Sequence, residues 1–255
     1  MSSDLFSLQG RVALITGSAR GIGWGIAQTV AAAGAHVVIN DLDEATIKAR
    51  ADELRGRGLS ASHVAFDVTD EAGVNAGVGR IIAEHGAVDI VVNNAGIQRR
   101  KSFQEFTYEE WRAVVDTHLN GAFLVTRAVV PKMIERRFGR IVMIGSIAAQ
   151  QPKQALAAYA AAKGGVTSLV KALAHELGQH GITANALAPG FIATEFTKVL
   201  QEDETFTRNM LSRVPGGRWG EPQDLAPAVI YLASKAGSFV NGHILTVDGG
   251  FLAAG

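Results

Sequence analysis

Leu14-Ile15-Thr16-Gly17-Ser18-Ala19-Arg20-Gly21-Ile22-Gly23 is the end of an apolar strand, a glycine-rich turn and the start of a helix. Gly17, Gly21 and Gly23 carry no Cβ. The backbone of this turn, with Ser18, Arg20 and Ile22 between the glycines, can therefore approach a pyrophosphate at the positive end of the helix. A glycine cluster alone also fits a tight turn that binds nothing. The strand before it and the helix after it favour phosphate binding, with glycine spacing that is a variant of the dinucleotide fingerprint.

Outward from this turn, short β-branched runs alternate with helix-length segments. Strands are expected at 12–16, 36–40, 63–66, 90–93, 140–145, 183–187 and 244–247, mostly apolar on successive residues, as strands covered on both faces are. Helices are expected at 23–33, 44–57, 72–85, 108–136, 157–179 and 222–234. The alternation predicts an α/β fold, a doubly wound (Rossmann-type) parallel seven-stranded sheet with helices on both faces. No linker or repeat divides residues 1–255, which read as a single domain, with a cofactor half over about 1–135 and a catalytic and substrate half over about 136–255. The stretch 190–220 breaks the rhythm, with few strand signals and many polar residues. Between the last two strands it is expected to form a substrate lid; the plainer alternative is a surface excursion with short helices of its own.

Apolar residues make up 47% of the 255 and charged ones 19%, the balance of a globular protein with a large core. Lys+Arg and Asp+Glu number 24 each, so neither nucleic acid nor an anionic membrane is favoured as a partner. Zero cysteines exclude disulfides and thiolate metal sites, and the seven histidines lack zinc-ligand spacing, so no metal is expected. Met1-Ser2-Ser3-Asp4-Leu5-Phe6 is polar and without an export segment, and later apolar runs are too short to span a bilayer. A cytoplasmic location is expected.

Asp41 closes the second strand, 24 positions beyond Gly17, where a carboxylate accepts hydrogen bonds from the adenosine ribose and repels a 2′-phosphate. That favours NAD. Arg20 pulls toward NADP by offering a guanidinium to the extra phosphate, and Asp41 also suits a helix cap ahead of Asp43-Glu44. Asp67 follows the third strand, within reach of the adenine edge. Asn93-Asn94-Ala95-Gly96 ends the fourth strand at the same edge of the sheet, a composition that a turn also explains.

Downstream, Tyr159-Ala-Ala-Ala-Lys163 places a phenol and an ammonium one helical turn apart on the same face. A phenol titrates near 10, too high for a base at neutral pH; a neighbouring ammonium, together with the positive ring of an oxidised nicotinamide, is expected to bring it down. Ser146 leaves the fifth strand at its C-terminal end, where its hydroxyl can donate to a carbonyl oxygen. With a dinucleotide in the other half of the chain, this is the equipment of an alcohol dehydrogenase or ketone reductase.

The glycine turn, Asn93-Asn94-Ala95-Gly96, Ser146, Tyr159-x-x-x-Lys163, Pro189-Gly190 and Asp248-Gly249-Gly250 together resemble the short-chain dehydrogenase/reductases, in order and over nearly the whole chain. The resemblance implies Tyr159 as acid/base, Lys163 on the nicotinamide ribose and Ser146 polarising the substrate oxygen. It also implies Leu42, Asp67 and Val68 around the adenosine, Asn93, Asn94, Ala95 and Gly96 along the cofactor, and Pro189, Gly190, Ile192 and Thr194 near the nicotinamide. It further implies a homotetramer, with the helix of Tyr159 and Lys163 at an interface. One position departs: where the family pattern has Asn in Asn-Leu-x-Gly, this chain has His118 in Thr117-His118-Leu119-Asn120-Gly121. Asn120 cannot replace it, because two residues along an α-helix rotate a side chain by about 200°. His118 is expected either to be a satisfied core histidine or to keep a water beside Lys163, relay the proton outward and alter the pH dependence.

Gln98-Arg99-Arg100-Lys101 stands at the expected mouth of the site, where Arg99 and Arg100 would grip a carboxylate. Gln150, Gln151, Lys153 and Gln154 precede Tyr159, with Gln154 expected on the substrate. A solvated loop explains the charges equally well. Asn-Asn-Ala-Gly-Ile-Gln-Arg-Arg (93–100), Arg218-Trp219-Gly220 and Phe239-Val240-Asn241-Gly242-His243-Ile244-Leu245 are similar to the gluconate 5-dehydrogenases of this family. That resemblance implies exchange between D-gluconate and 5-keto-D-gluconate, a small anionic hydroxy/keto acid pair. Two alternatives stand beside it: reduction of a 3-oxoacyl thioester on a carrier protein, and a non-catalytic dinucleotide-binding scaffold.

Overall fold

Successive residues of β1 (Val12–Ile15) turn to opposite faces of the sheet, and all four are buried. Ala13 and Ile15 join one core with Ile26 and Val30 of α1 (Gly21–Ala32), Ile47 and Leu54 of α2 (Glu44–Gly56) and Val229 of α9 (Pro222–Ala233). Val12 and Leu14 join a second core on the other face. It includes Val74 and Val78 of α3 (Glu71–His85), Val129 of α5 (Gly121–Arg136) and Val166 of α6 (Ala157–Leu177). The continuous apolar strands follow from this double covering.

The structure, a computed structural model, describes residues 5–254; the first four residues of the N-terminal stretch read against export lie outside the described residues. The remaining strands are β2 (His36–Asp41), β3 (Ala61–Ala65), β4 (Ile90–Asn93), β5 (Gly139–Ile144), β6 (Ile182–Pro189) and β7 (Ile244–Val247). Their order is β3-β2-β1-β4-β5-β6-β7, and every neighbouring pair is parallel. The order reverses between β1 and β4, so the loops leaving these strands diverge and open a crevice at the carboxyl edge. β3 begins at Ala61, earlier than the apolar run suggested, because Ala61 and Ser62 pair with Val37 and Val38.

The helix expected over 108–136 is interrupted. α4 (Tyr108–Val115) passes through a π-helical turn, Asp116–Asn120, before α5 begins at Gly121. The stretch 190–220 holds a short 3-10 turn, Glu195–Thr197, and two short helices, α7 (Lys198–Gln201) and α8 (Glu204–Leu211). Its base is stapled to itself, Ala193 donating to Gly220 at 2.8 Å and Gly220 to Phe191 at 2.9 Å. No helix among the described residues is long and apolar enough to cross a membrane.

Candidate active site

A cleft of about 870 Å³ opens over the carboxyl ends of β1, β4, β5 and β6. The glycine turn forms one wall. Gly17 has φ +61°, and a Cβ there would stand 2.8 Å from the Cα of Ala95, so only glycine lets the turn meet the end of β4. Asn94 holds that junction: its Nδ2 donates to the carbonyls of Thr16 and Gly17, both at 2.9 Å. Gly17, Arg20, Gly21 and Ile22 line the cleft. Ser18 and Gly23 lie behind it. Ser18 is fully buried, donating to Ile15 at 2.7 Å, and a Cβ on Gly23 would meet the Gly17 carbonyl at 2.4 Å. These two shape the turn rather than face a ligand.

Asp41, Leu42, Asp67 and Val68 line the next stretch. Asp41 does not cap α2; Asp43 does, accepting from Thr46 N. Asp41 instead accepts from Ala19 N at 3.3 Å and Leu42 N at 2.9 Å, which fixes its carboxylate at the rim beside Arg20. Asn94, Ala95 and Gly96 continue the lining; Asn93 stays buried beneath it. Pro189, Gly190, Ile192 and Thr194 complete it from the end of β6. Phe191 among them and Phe196 and Leu200 after them also line the cleft, and single-residue motifs did not mark these three. Apolar residues spaced through a polar segment were the available signal.

Ser146, Tyr159 and Lys163 meet on the floor of the cleft. The Ser146 Oγ accepts from Ala148 N at 3.0 Å, which leaves the hydroxyl proton to point at a ligand. Lys163 is buried, its Nζ donating to the Ile144 carbonyl at 2.5 Å and lying 5.6 Å from the Tyr159 ring centroid. Burial lowers Lys163 to about 7. The phenol does not follow the sequence expectation: burial raises Tyr159, and hydrogen bonding from Ser146 and the charge of Arg100 draw it back in part. Burial that lowers the ammonium weakens the charge it offers, and one of its three N–H groups goes to the Ile144 carbonyl, so the Tyr–Lys pair alone does not make the phenol acidic.

His118 stands edge-on to Tyr159, with ring centroids 5.2 Å apart. Its Nε2 lies 2.7 Å from the Ile97 carbonyl, which can only accept, so the proton sits on Nε2 and Nδ1 is a bare acceptor. Burial, then the charge of Lys163, hold the imidazole well below its ordinary value, and it is neutral around pH 7. This corrects the idea of a titrating relay. Asn120 points away, its amide donating to Asp116 at 2.7 Å. Nδ1 of His118 and Oδ1 of Asn93 are both buried and without a partner among the described residues, and both residues, with Lys163, line a separate pocket of about 10 Å³.

The structure separates the two arginines of the mouth. Arg100 lines the cleft, donating from Nε to Gln98 Oε1 at 3.0 Å. Arg99 is exposed outside the lining, its guanidinium donating only to Gln98 O at 3.4 Å, because neighbouring residues of an extended loop point apart. Gln154 is likewise exposed and outside, while Gln151 and Lys153 face in.

A family model described as enoyl-(acyl carrier protein) reductase matches residues 17–252. The chain is 43% identical over 252 residues to 5-keto-D-gluconate 5-reductase of Escherichia coli (strain K12), covering 99% of each. It is 44% identical over 247 residues to gluconate 5-dehydrogenase of Gluconobacter oxydans (strain 621H), covering 97% of this chain and 96% of that one. Among solved structures, a gluconate 5-dehydrogenase from Burkholderia cenocepacia J2315 in complex with NADP and tartrate superposes with a TM-score of 0.97 at 43% identity, over 99% of each chain.

Proposed function

The chain belongs to the short-chain dehydrogenase/reductase family, and from that premise we propose that it interconverts D-gluconate and 5-keto-D-gluconate, or a closely related sugar acid pair, with NAD(P). The observation that carries this reading is one cleft lined by the glycine turn, by Ser146, Tyr159 and Lys163, and by Arg100, which makes no salt bridge among the described residues. The turn fits a dinucleotide: a Cβ at Gly17 or Gly23 would collapse the junction that keeps the backbone open beside the helix N-terminus. When bound, NAD(P) supplies or accepts the hydride and, in its oxidised form, brings a positive charge.

Tyr159 takes the proton from the substrate hydroxyl in oxidation and returns it in reduction. The single Ser146 hydroxyl proton is shared by two roles: turned to Tyr159 it lowers the phenol in part, and turned to the substrate oxygen it polarises the reacting carbon. Lys163 would hold the cofactor ribose, and it passes protons toward the small pocket behind it. A pocket of about 10 Å³ matches one water, which would donate to His118 Nδ1 and Asn93 Oδ1 and accept from Lys163. His118 is thus a neutral positioning residue. Arg100 faces the carboxylate of the substrate.

NAD is favoured by the fixed Asp41 carboxylate at the rim, and Arg20 beside it leaves NADP usable. A homotetramer accounts for exposed Phe103, Tyr108 and Phe123, on and near α4 and α5, the first of which packs against α6. We assign a cytoplasmic location, which the zero cysteines suit as a chain of a reducing compartment. The rival activity, reduction of a 3-oxoacyl thioester, is supported by 40% identity over 244 residues to a 3-oxoacyl-[acyl-carrier-protein] reductase of Escherichia coli (strain K12). Assays of gluconate, 5-ketogluconate and acetoacetyl thioester with each cofactor separate the two; turnover of the thioester alone would overturn the sugar acid reading.

A further inference from the structure

Lys153, in the wall of the cleft, and Arg213 share one aromatic ring. Lys153 lies in the loop after β5, and Arg213 follows α8. Both stand against the ring of Phe251, Nζ at 4.9 Å and the guanidinium carbon at 4.6 Å from its centroid. Phe251 is a fixed platform, buried with Ile147, Met210 and Val214 and in edge contact with Phe191 at 5.3 Å. Among the described residues neither cation makes a salt bridge. Arg213 has only a long contact to Gln151 Oε1 at 3.4 Å.

A cation over an aromatic face is stabilised, but two beside one ring repel each other, and loss of water sharpens the repulsion. Burial and then the charge of Arg213 lower the Lys153 ammonium, as that repulsion requires. An oxyanion between them would relieve it, and Gln151 adds an amide at the same place. This pair is distinct from Arg100, whose charge acts on Tyr159 while that of Arg213 acts on Lys153. The cleft therefore carries cations in two separate places, and Lys153 is part of its lining.

We propose that Lys153 and Arg213 form a second anion subsite, so that the cleft accepts hydroxy or keto acids bearing an acidic group at both ends. The proposal rests on the reading that Arg100 faces one carboxylate of a sugar acid. The required chemistry is a terminal oxyanion, supplied by a carboxylate or by a phosphate ester.

Calorimetric titration of the full-length enzyme saturated with NADPH tests it, because reduced cofactor with an alcohol ligand cannot turn over. D-Gluconate, D-glucarate and 6-phospho-D-gluconate are the three ligands. At least one doubly anionic ligand is expected to bind tenfold or more tightly than gluconate. Preference for glucarate identifies a carboxylate, and preference for the phosphate ester identifies a phosphate. Lys153→Gln and Arg213→Gln are each expected to remove the preference, and Arg213→Lys to keep it, which a packing defect in the stretch around α8 would not do. Equal binding of all three ligands by wild type, or equal weakening of all three in the variants, overturns the subsite and leaves the gluconate reading intact. If gluconate fails to bind while glucarate binds and responds to the variants, the subsite stands and the gluconate reading falls. If no ligand binds, both fall.

Discussion

Lys163 is buried beneath the cleft, and burial brings it from 10.5 to about 7. Between those values the folded chain binds fewer protons at this residue than the unfolded chain. Its contribution therefore makes stability rise with pH from about 7 toward 10.5, and the penalty is full below about 7. Lys163→Met is expected to abolish turnover yet raise the thermal midpoint at pH 7, with the gain shrinking as the pH approaches 10; melting curves across that range check it. His118 behaves differently because it stays neutral. His118→Leu removes the Nδ1 acceptor and is expected to lower kcat about tenfold, the worth of roughly one hydrogen bond, without moving the acidic limb of the pH–rate profile. A shifted limb would restore a titrating imidazole. Residue identity in the sequence was enough to single out Ser146, Tyr159 and Lys163. It was not enough to separate Arg99 from Arg100, which differ only in the direction the loop gives them.

The elements most legible in the sequence are the strands, because burial on both faces leaves a run of apolar residues wherever a strand lies. The π-helical turn at Asp116–Asn120 left no such trace. Its residues read as ordinary helix, and in the fold His118 of this turn fills the space above Gly96, where a Cβ would lie 2.2 Å from the imidazole Cε1. Gly96→Ala is expected to destabilise by about 1–3 kcal/mol through overpacking, and by much less when combined with His118→Ala. Urea titrations of the two single variants and the double variant measure that coupling; additive effects would show that the glycine and the histidine do not depend on each other. The aromatic contacts of Phe191 with Phe206, Trp219 and Phe251 were equally silent, since their members are scattered along the chain and meet only in the fold.

At the scale of the whole molecule, the switch in strand order between β1 and β4 places a dinucleotide turn and a proton-transfer corner on one edge of one sheet. The apolar side chains left exposed at Phe103, Tyr108 and Phe123 argue for burial between copies. Light scattering is expected to give four times the chain's 26.8 kDa, and Phe123→Asp to reduce that mass. A monomeric wild type would leave these side chains without a role. The chemistry itself is tested most directly by Tyr159→Phe, assayed for gluconate oxidation alongside cofactor binding. A fall in kcat of about 10²-fold or more with unchanged cofactor affinity is the expected result for loss of a general acid–base group. Turnover within a few-fold of wild type would contradict proton transfer at Tyr159 and, with it, the account of the cleft.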